Sequence, residues 1–188
     1  MCSLEIRRHS YTRAGDAKGR GSHLSPEGVR LAREVGSQMG PFAYVAASLI
    51  PRTVETAIAM GFAVDDLFDF GGGEMWESAT REIAHRELRE DNQLYRVYVA
   101  AAEAGGVVAA LGRRQAELWA GIAGRVDDGQ AALIVTHGGL IEPGLTVALP
   151  GWAHERWGRG FRQCEGARLT WAGDAFVDAE ILHLDVHA

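Results

Sequence analysis

Ala131-Ala132-Leu133-Ile134-Val135 is a short apolar run closed by Thr136-His137-Gly138-Gly139. A continuous run of this length, stopped by a glycine pair, reads as a strand buried on both faces. Gly138-Gly139 leads into a helical stretch, Leu140–Leu149, which Pro150-Gly151 terminates. Working back toward the N-terminus, Ser3–Arg8 alternates around Leu4 and Ile6 as a strand, and Arg13–His23 is a glycine-rich, charged loop. Ser25 suits an N-cap, Pro26 the first helical position, and Glu27 the positive end of the helix dipole. Val29, Leu31, Ala32, Val35 and Met39 supply the apolar face of that helix, and Gly40-Pro41 stops it. Phe42–Ser48 is a second strand, Pro51 opens a second helix, and Val64–Phe70 is a third strand ending in Gly71-Gly72-Gly73. Ser78 to about Gly124 is mostly helical, broken near Gly105-Gly106. Ala167–Trp171 and Phe176–Leu184 form a hairpin turning at Gly173-Asp174. The expectation is an α/β three-layer sandwich in a single domain, residues 1–188. Its central sheet is mostly parallel with helices on both faces, and a C-terminal β-hairpin follows.

Composition narrows the function. With 19 basic against 25 acidic side chains the net charge is −6, which argues against a general nucleic-acid binder. No apolar run approaches the roughly 18–20 residues that cross a bilayer, and no leader pattern opens the chain, so a cytoplasmic place is expected. Cys2 and Cys164 are too few for a disulfide framework or a four-cysteine zinc site. Lys18 is the only lysine, so 18 of the 19 basic residues are arginine, mostly a compositional bias.

Some arginines are placed rather than scattered. Ligands in α/β sheets sit beyond the carboxyl ends of the strands. Three strands here end at Arg8-His9, just before Arg52, and at His137, which puts guanidinium and imidazole groups on one sheet edge. Guanidiniums at close range repel unless an anion lies between them, and a phosphoryl group offers oxygens for bidentate contacts. Arg52 also falls in the first turn of its helix, where backbone N–H groups favour anions. A neutral imidazole beside that group can attack phosphorus, and a second can stabilise the charge that develops.

Four segments resemble a known family in the same order. Ile6-Arg7-Arg8-His9, Leu24-Ser25-Pro26-Glu27-Gly28, Ser48-Leu49-Ile50-Pro51-Arg52 with Glu55-Thr56-Ala57, and Ile134-Val135-Thr136-His137-Gly138-Gly139 are similar to motifs of the histidine phosphatase superfamily, also called phosphoglycerate-mutase-like. The resemblance covers most of Leu4–Leu149. It implies His9 as nucleophile, a phosphate pocket of Arg8, Arg52 and His137, and no cofactor or metal. Ser10 stands where the family usually has glycine, and its hydroxyl is a candidate substrate contact, as is His23. Ile50 is an insertion in the segment that carries Arg52. The family places a carboxylate proton donor after the second arginine. Glu74, in a glycine-flanked stretch, is the choice, with Asp69 and Glu77 as rivals.

The expected activity is that of a metal-independent phosphomonoesterase acting on a small phosphorylated molecule through a phosphohistidine. A phosphatase is preferred to a mutase because so short a chain has little left for covering segments. Alternatives are a protein phosphohistidine phosphatase and a catalytically silent phospho-ligand binder. Neither nucleic acid nor membrane is an expected partner, and oligomeric state has no readable signal. His85, His154, His183 and His187 have no companions at metal-ligand spacing. Most tryptophans read as packing, with Trp152 and Trp157 bracketing a loop after the His137 helix. Arg13, Lys18 and Arg20, and separately Arg156, Arg159 and Arg162, are clusters suited to greeting a polyanion.

Overall fold

Ala131–Thr136 lies inside a six-stranded sheet, with Tyr44–Ser48 parallel to it on one side and Cys2–Arg8 parallel on the other. The computed structural model describes residues 1–13, 23–71, 73–84, 94–152 and 154–184. In chain order the elements are β1 (Cys2–Arg8), α1 (Pro26–Gly36), β2 (Tyr44–Ser48), α2 (Pro51–Ala59), β3 (Asp66–Phe68) and α3 (Gly73–Ala84). They continue with α4 (Leu94–Glu103), α5 (Val107–Ala123), β4 (Ala131–Thr136), α6 (Ile141–Ala148), β5 (Gly166–Trp171) and β6 (Phe176–Leu182). The sheet order is β3-β2-β4-β1-β5-β6; the first four strands are mutually parallel and the last two form an antiparallel hairpin.

The period of two along each strand divides the core. Ala132 and Ile134 of β4 join Leu4 and Ile6 of β1 in a core completed by Ala79, Tyr95, Trp119 and Leu145 of α3, α4, α5 and α6. Leu133 and Val135 face the other way, onto Ala32 and Val35 of α1 and Ala57 of α2. The sheet is therefore covered on both faces, as its apolar central strand requires. Glycines permit the closest approaches. A Cβ on Gly144 of α6 would stand 2.2 Å from the Trp119 ring, so α5 and α6 can meet only with hydrogen there.

Several sequence-based boundaries move. The third strand shortens to Asp66–Phe68 because side chains take over at both ends: the Asp65 carboxylate accepts the Val45 N–H, and that of Asp69 accepts the Gly71 N–H. The stretch expected from Ser78 to Gly124 is three helices, and α3 begins earlier, at Gly73. β6 ends at Leu182 rather than Leu184, where the Leu184 N–H turns to the Glu165 carboxylate. The hairpin turn is as expected, with the Ala172 N–H bonded to the Ala175 carbonyl and Gly173 at φ 102°. No helix among the described residues is long and apolar enough to cross a membrane.

Register does the positioning. Arg8 pairs with Thr136, and Ala47 pairs with Val135, so β1, β4 and β2 stop level with one another. The backbone carries the alignment one step further, since the His9 N–H donates to the Thr136 carbonyl at 2.9 Å. On the other side of β1, a Cβ on Gly166 would lie 1.7 Å from the Ile6 carbonyl oxygen. Gly166→Ala is therefore expected to lower unfolding stability by at least about 2 kcal/mol in urea titration, because the obstruction is backbone and cannot rotate away. Gly121→Ala, in α5 with nothing near its Cβ position, should instead raise it by roughly 0.5–1 kcal/mol. Equal effects of the two substitutions would contradict this account.

Candidate active site

Each functional side chain is set by the turn that follows its strand. His9 leaves β1 and its Nδ1 donates to the Ser10 carbonyl at 2.7 Å. A carbonyl only accepts, so the proton is on Nδ1 and the lone pair is on Nε2. That lone pair accepts from Nε of Arg52 at 3.1 Å. The same guanidinium approaches Nδ1 of His137 to 3.3 Å, which leaves the His137 proton on Nε2, directed at Ser48 Oγ 3.0 Å away. The two imidazole rings lie edge to face with centroids 5.3 Å apart.

Arg52 reaches both rings despite the inserted Ile50. Ile50 is extended, at φ −94° and ψ 133°, and Pro51 follows at the first helical position. Thr53 donates its hydroxyl to the carbonyls of Ser48 and Ile50, closing the turn around the extra residue. Arg8 runs alongside Gly138, where a Cβ would come within 3.0 Å of its guanidinium carbon. Its Nη1 donates to the Phe161 carbonyl at 2.6 Å, while its buried Nε has no acceptor among the described residues.

The site is electrostatically positive and its histidines are neutral. Burial, then the charges of Arg52 and Arg8, outweigh the Ser10 hydrogen bond and lower His9 to about 4. His137 is lowered to about 2, by burial first and then by His9 and the two guanidiniums. A nucleophile that must present a lone pair gains from this. At neutral pH essentially every copy has Nε2 unprotonated.

The remaining candidates separate. Ser10 corrects the expectation of a substrate contact: it is fully buried, and its hydroxyl donates to the Gly28 carbonyl at 2.7 Å. With its N–H on Thr56 Oγ1, Ser10 fastens the His9 turn to α1 and α2. His23 pairs instead with the Glu55 carboxylate of α2 at 2.5 Å, and Glu55 also accepts the Leu24 N–H. Glu74 is not on a loop but in the first turn of α3, exposed, and Glu77 is exposed one turn on. Trp76 between them brings its Nε1 within 3.6 Å of the Cβ position of Gly139, so this end of α3 borders the His137 turn. Around the helix Glu77 follows Trp76 by about 100°, whereas Glu74 precedes it by about 200°. The Asp69 carboxylate caps the Gly71 N–H at 3.3 Å.

Other histidines serve packing. His154 is buried with Nε2 3.0 Å from the Leu149 carbonyl, and His183 lies against Trp157 and Glu165. His85, His187, Lys18, Arg20 and the side chain of Arg156 fall outside the described residues. Arg13 donates to the Leu24 carbonyl. Among the described residues no three metal-ligating side chains converge.

Sequence reasoning passed over Glu142, which is 3% exposed. Its carboxylate accepts the Gly139 N–H at 2.7 Å and the Phe161 N–H at 3.1 Å. It thereby ties the turn after His137 to the segment whose carbonyl holds Arg8. A carboxylate in the first turn of a helix, reaching back to the N–H three residues before it, is similar to the return bond of a capping box and was the available signal.

The neutral histidines give a test. In ligand-free protein, the NMR titration of His9 should show it unprotonated down to about pH 4. Orthovanadate should raise its pKa, because an anion offsets the guanidinium charges. Unfolded histidine takes its proton near pH 6.5, so the depressed values make stability fall as pH drops from there toward 4. A His9 pKa near 6.5, unmoved by the anion, would contradict the geometry.

Comparisons with known proteins bear on the family and the fold. The model of the histidine phosphatase superfamily (branch 1) matches residues 6–180. None of the curated proteins matches the chain. Among solved structures, Entamoeba histolytica phosphoserine phosphatase in complex with 3-phosphoglyceric acid is similar at a TM-score of 0.65 and 15% identity, covering 98% of both chains. Phosphoglycerate mutase from Bacillus anthracis is similar at a TM-score of 0.67 and 18% identity, covering 96% of this chain and 92% of that one. Phosphoglycerate mutase from Thermus thermophilus gives 0.59 and 18%, covering 97% and 99%. At these identities the likeness is one of fold. The family match spans both histidine turns and both arginines, and the chain belongs to branch 1 of the histidine phosphatase superfamily.

Proposed function

We propose that the protein is a metal-independent phosphomonoesterase that hydrolyses a small phosphorylated molecule through a phosphohistidine at His9. One observation carries the reading: a neutral His9 whose Nε2 lone pair faces a guanidinium at 3.1 Å, with a second neutral imidazole beyond it. Arg52 holds that lone pair in the place where a phosphoryl group would sit. Substrate oxygens replace His9 as the acceptors of Arg52, and Arg8 takes others. Nε2 then attacks phosphorus in line, the P–O ester bond breaks, and the leaving oxygen takes a proton from a carboxyl group of α3, Glu74 or Glu77. Water attacks the phosphohistidine next and gives its proton to the same carboxylate. The P–N bond breaks, orthophosphate leaves, and His9 recovers its lone pair. His137 stabilises the equatorial oxygens throughout. Both cysteines are free and buried, which suits a reducing, cytoplasmic compartment.

His9→Ala should abolish hydrolysis of p-nitrophenyl phosphate, while chelator leaves the wild type active. Mutant activity equal to wild type, or wild-type activity lost to chelator, would overturn the mechanism. Phosphate released one-for-one with the alcohol identifies hydrolysis, and a deficit of phosphate identifies transfer to a second acceptor.

The proton donor shows itself through the leaving group. Of Glu74→Gln and Glu77→Gln, the one that removes it should slow phenyl phosphate by about 100-fold or more. It should slow p-nitrophenyl phosphate much less, since that leaving group needs little protonation. If both variants affect the two esters equally, the acid does not come from α3.

A further inference from the structure

His137 has a task in the proposed reaction that its hydrogen bonds in the structure do not allow. To stabilise phosphoryl oxygens it must offer them an N–H. The nitrogen nearest the pocket is Nδ1, which has the Arg52 guanidinium 3.3 Å away. A guanidinium only donates, so Nδ1 holds the lone pair and the one ring proton is on Nε2. A second proton would set an imidazolium beside two guanidiniums. Burial first, then His9, Arg52 and Arg8, already lower this ring to about 2. The neutral alternative is to carry the proton on Nδ1 instead.

The partner of Nε2 decides whether that form is accessible. Nε2 lies 3.0 Å from Ser48 Oγ, and Ser48 is 3% exposed, so protein rather than solvent must match this nitrogen. A carbonyl there would accept only, and an N–H would donate only; each would fix one tautomer. A hydroxyl does both. Ser48 Oγ has no other polar partner among the described residues, so its hydrogen can turn away from Nε2–H or toward a bare Nε2. The backbone need not move, since the Ser48 carbonyl is held by the Thr53 hydroxyl at 2.8 Å and Ser48 pairs with Phe68. His9 is the contrast. Its Nδ1 meets the Ser10 carbonyl, which fixes one tautomer, as a nucleophile requires.

We infer that Ser48 is a positioning residue that lets His137 exchange tautomers: Nε2–H donates to Ser48 while Arg52 faces Nδ1, and Ser48 donates to Nε2 when a phosphoryl oxygen takes that place. The inference rests on the phosphatase reading, in which the oxygen comes from substrate. The proton count is unchanged. Nδ1 gains a proton from water, Nε2 returns one to water, and only N–H bonds form and break. Both forms are neutral, and the oxyanion selects the one that donates to it.

Nitrogen-15 NMR of the imidazoles reads the tautomer, with the His137 signals assigned by their loss in His137→Asn. Wild-type His137 should carry its proton on Nε2 without phosphate and on Nδ1 at saturating orthophosphate, while His9 keeps its Nδ1 proton in both. Ser48→Ala should leave phosphate-bound His137 divided between tautomers and lower kcat for phenyl phosphate by about ten-fold or more. Ser48→Thr, which keeps the hydroxyl, should retain the shift. A proton that stays on Nε2 at saturating phosphate, protons on both nitrogens, or a Ser48→Ala protein with the wild-type shift and kcat would overturn the inference. A shift in a protein whose His9→Ala variant hydrolyses phosphoesters at the wild-type rate refutes the phosphohistidine reading and leaves the exchange standing. Loss of hydrolysis in His9→Ala with no shift at His137 refutes the exchange alone. Silence of both histidines toward phosphate overturns the exchange together with the pocket.

Discussion

Arg52 donates to Nε2 of His9 and comes within 3.3 Å of Nδ1 of His137, and the rest of the molecule is arranged so that this contact can form. It needs three parallel strands that stop level, which the pairing of Arg8 with Thr136 and of Ala47 with Val135 provides. It needs both imidazoles neutral, which burial and the neighbouring guanidiniums enforce. It also needs the turns after the strands fixed. Ser10 and Thr56 fix the first, Thr53 the second, and Glu142 the third. Burying cationic groups side by side is costly, and an oxyanion between them relieves the repulsion. In the proposed reading, affinity for phosphate follows from the same electrostatics that keep His9 unprotonated.

Much of this was legible before the structure. The apolar run at Ala131 was the clearest buried strand, and Ser25-Pro26 carried the cap that the structure shows, with Ser25 Oγ accepting the Gly28 N–H at 3.0 Å. Strand ends at Arg8, Ser48 and Thr136 were enough to bring His9, Arg52 and His137 to one edge. What failed was local competition between backbone and side chains. Asp65 and Asp69 trimmed β3 through their own hydrogen bonds, and residue periodicity carries no trace of that. Ser10 was misjudged for a related reason. Its place in sequence is beside the nucleophile, but the turn points its hydroxyl inward to Gly28.

Glu142 shows the other limit. Its partners, Gly139 and Phe161, are backbone groups from two segments, and only one of them is close in sequence. A cavity lined by Arg8 and Arg162 has the same character. The arginines after Trp157 could be seen as a cluster, yet nothing in the chain showed that Arg8 would form part of the same wall. Side chains brought together by tertiary packing are where a single sequence says least.

The central claim is that phosphorus becomes bonded to Nε2 of His9. Rapid quenching of the protein with ³²P-labelled phenyl phosphate, followed by digestion in alkali and peptide mapping, tests it directly. The account predicts an acid-labile, alkali-stable label on the peptide that contains His9. A label on any other residue, or turnover with no covalent label at any quench time, would contradict it.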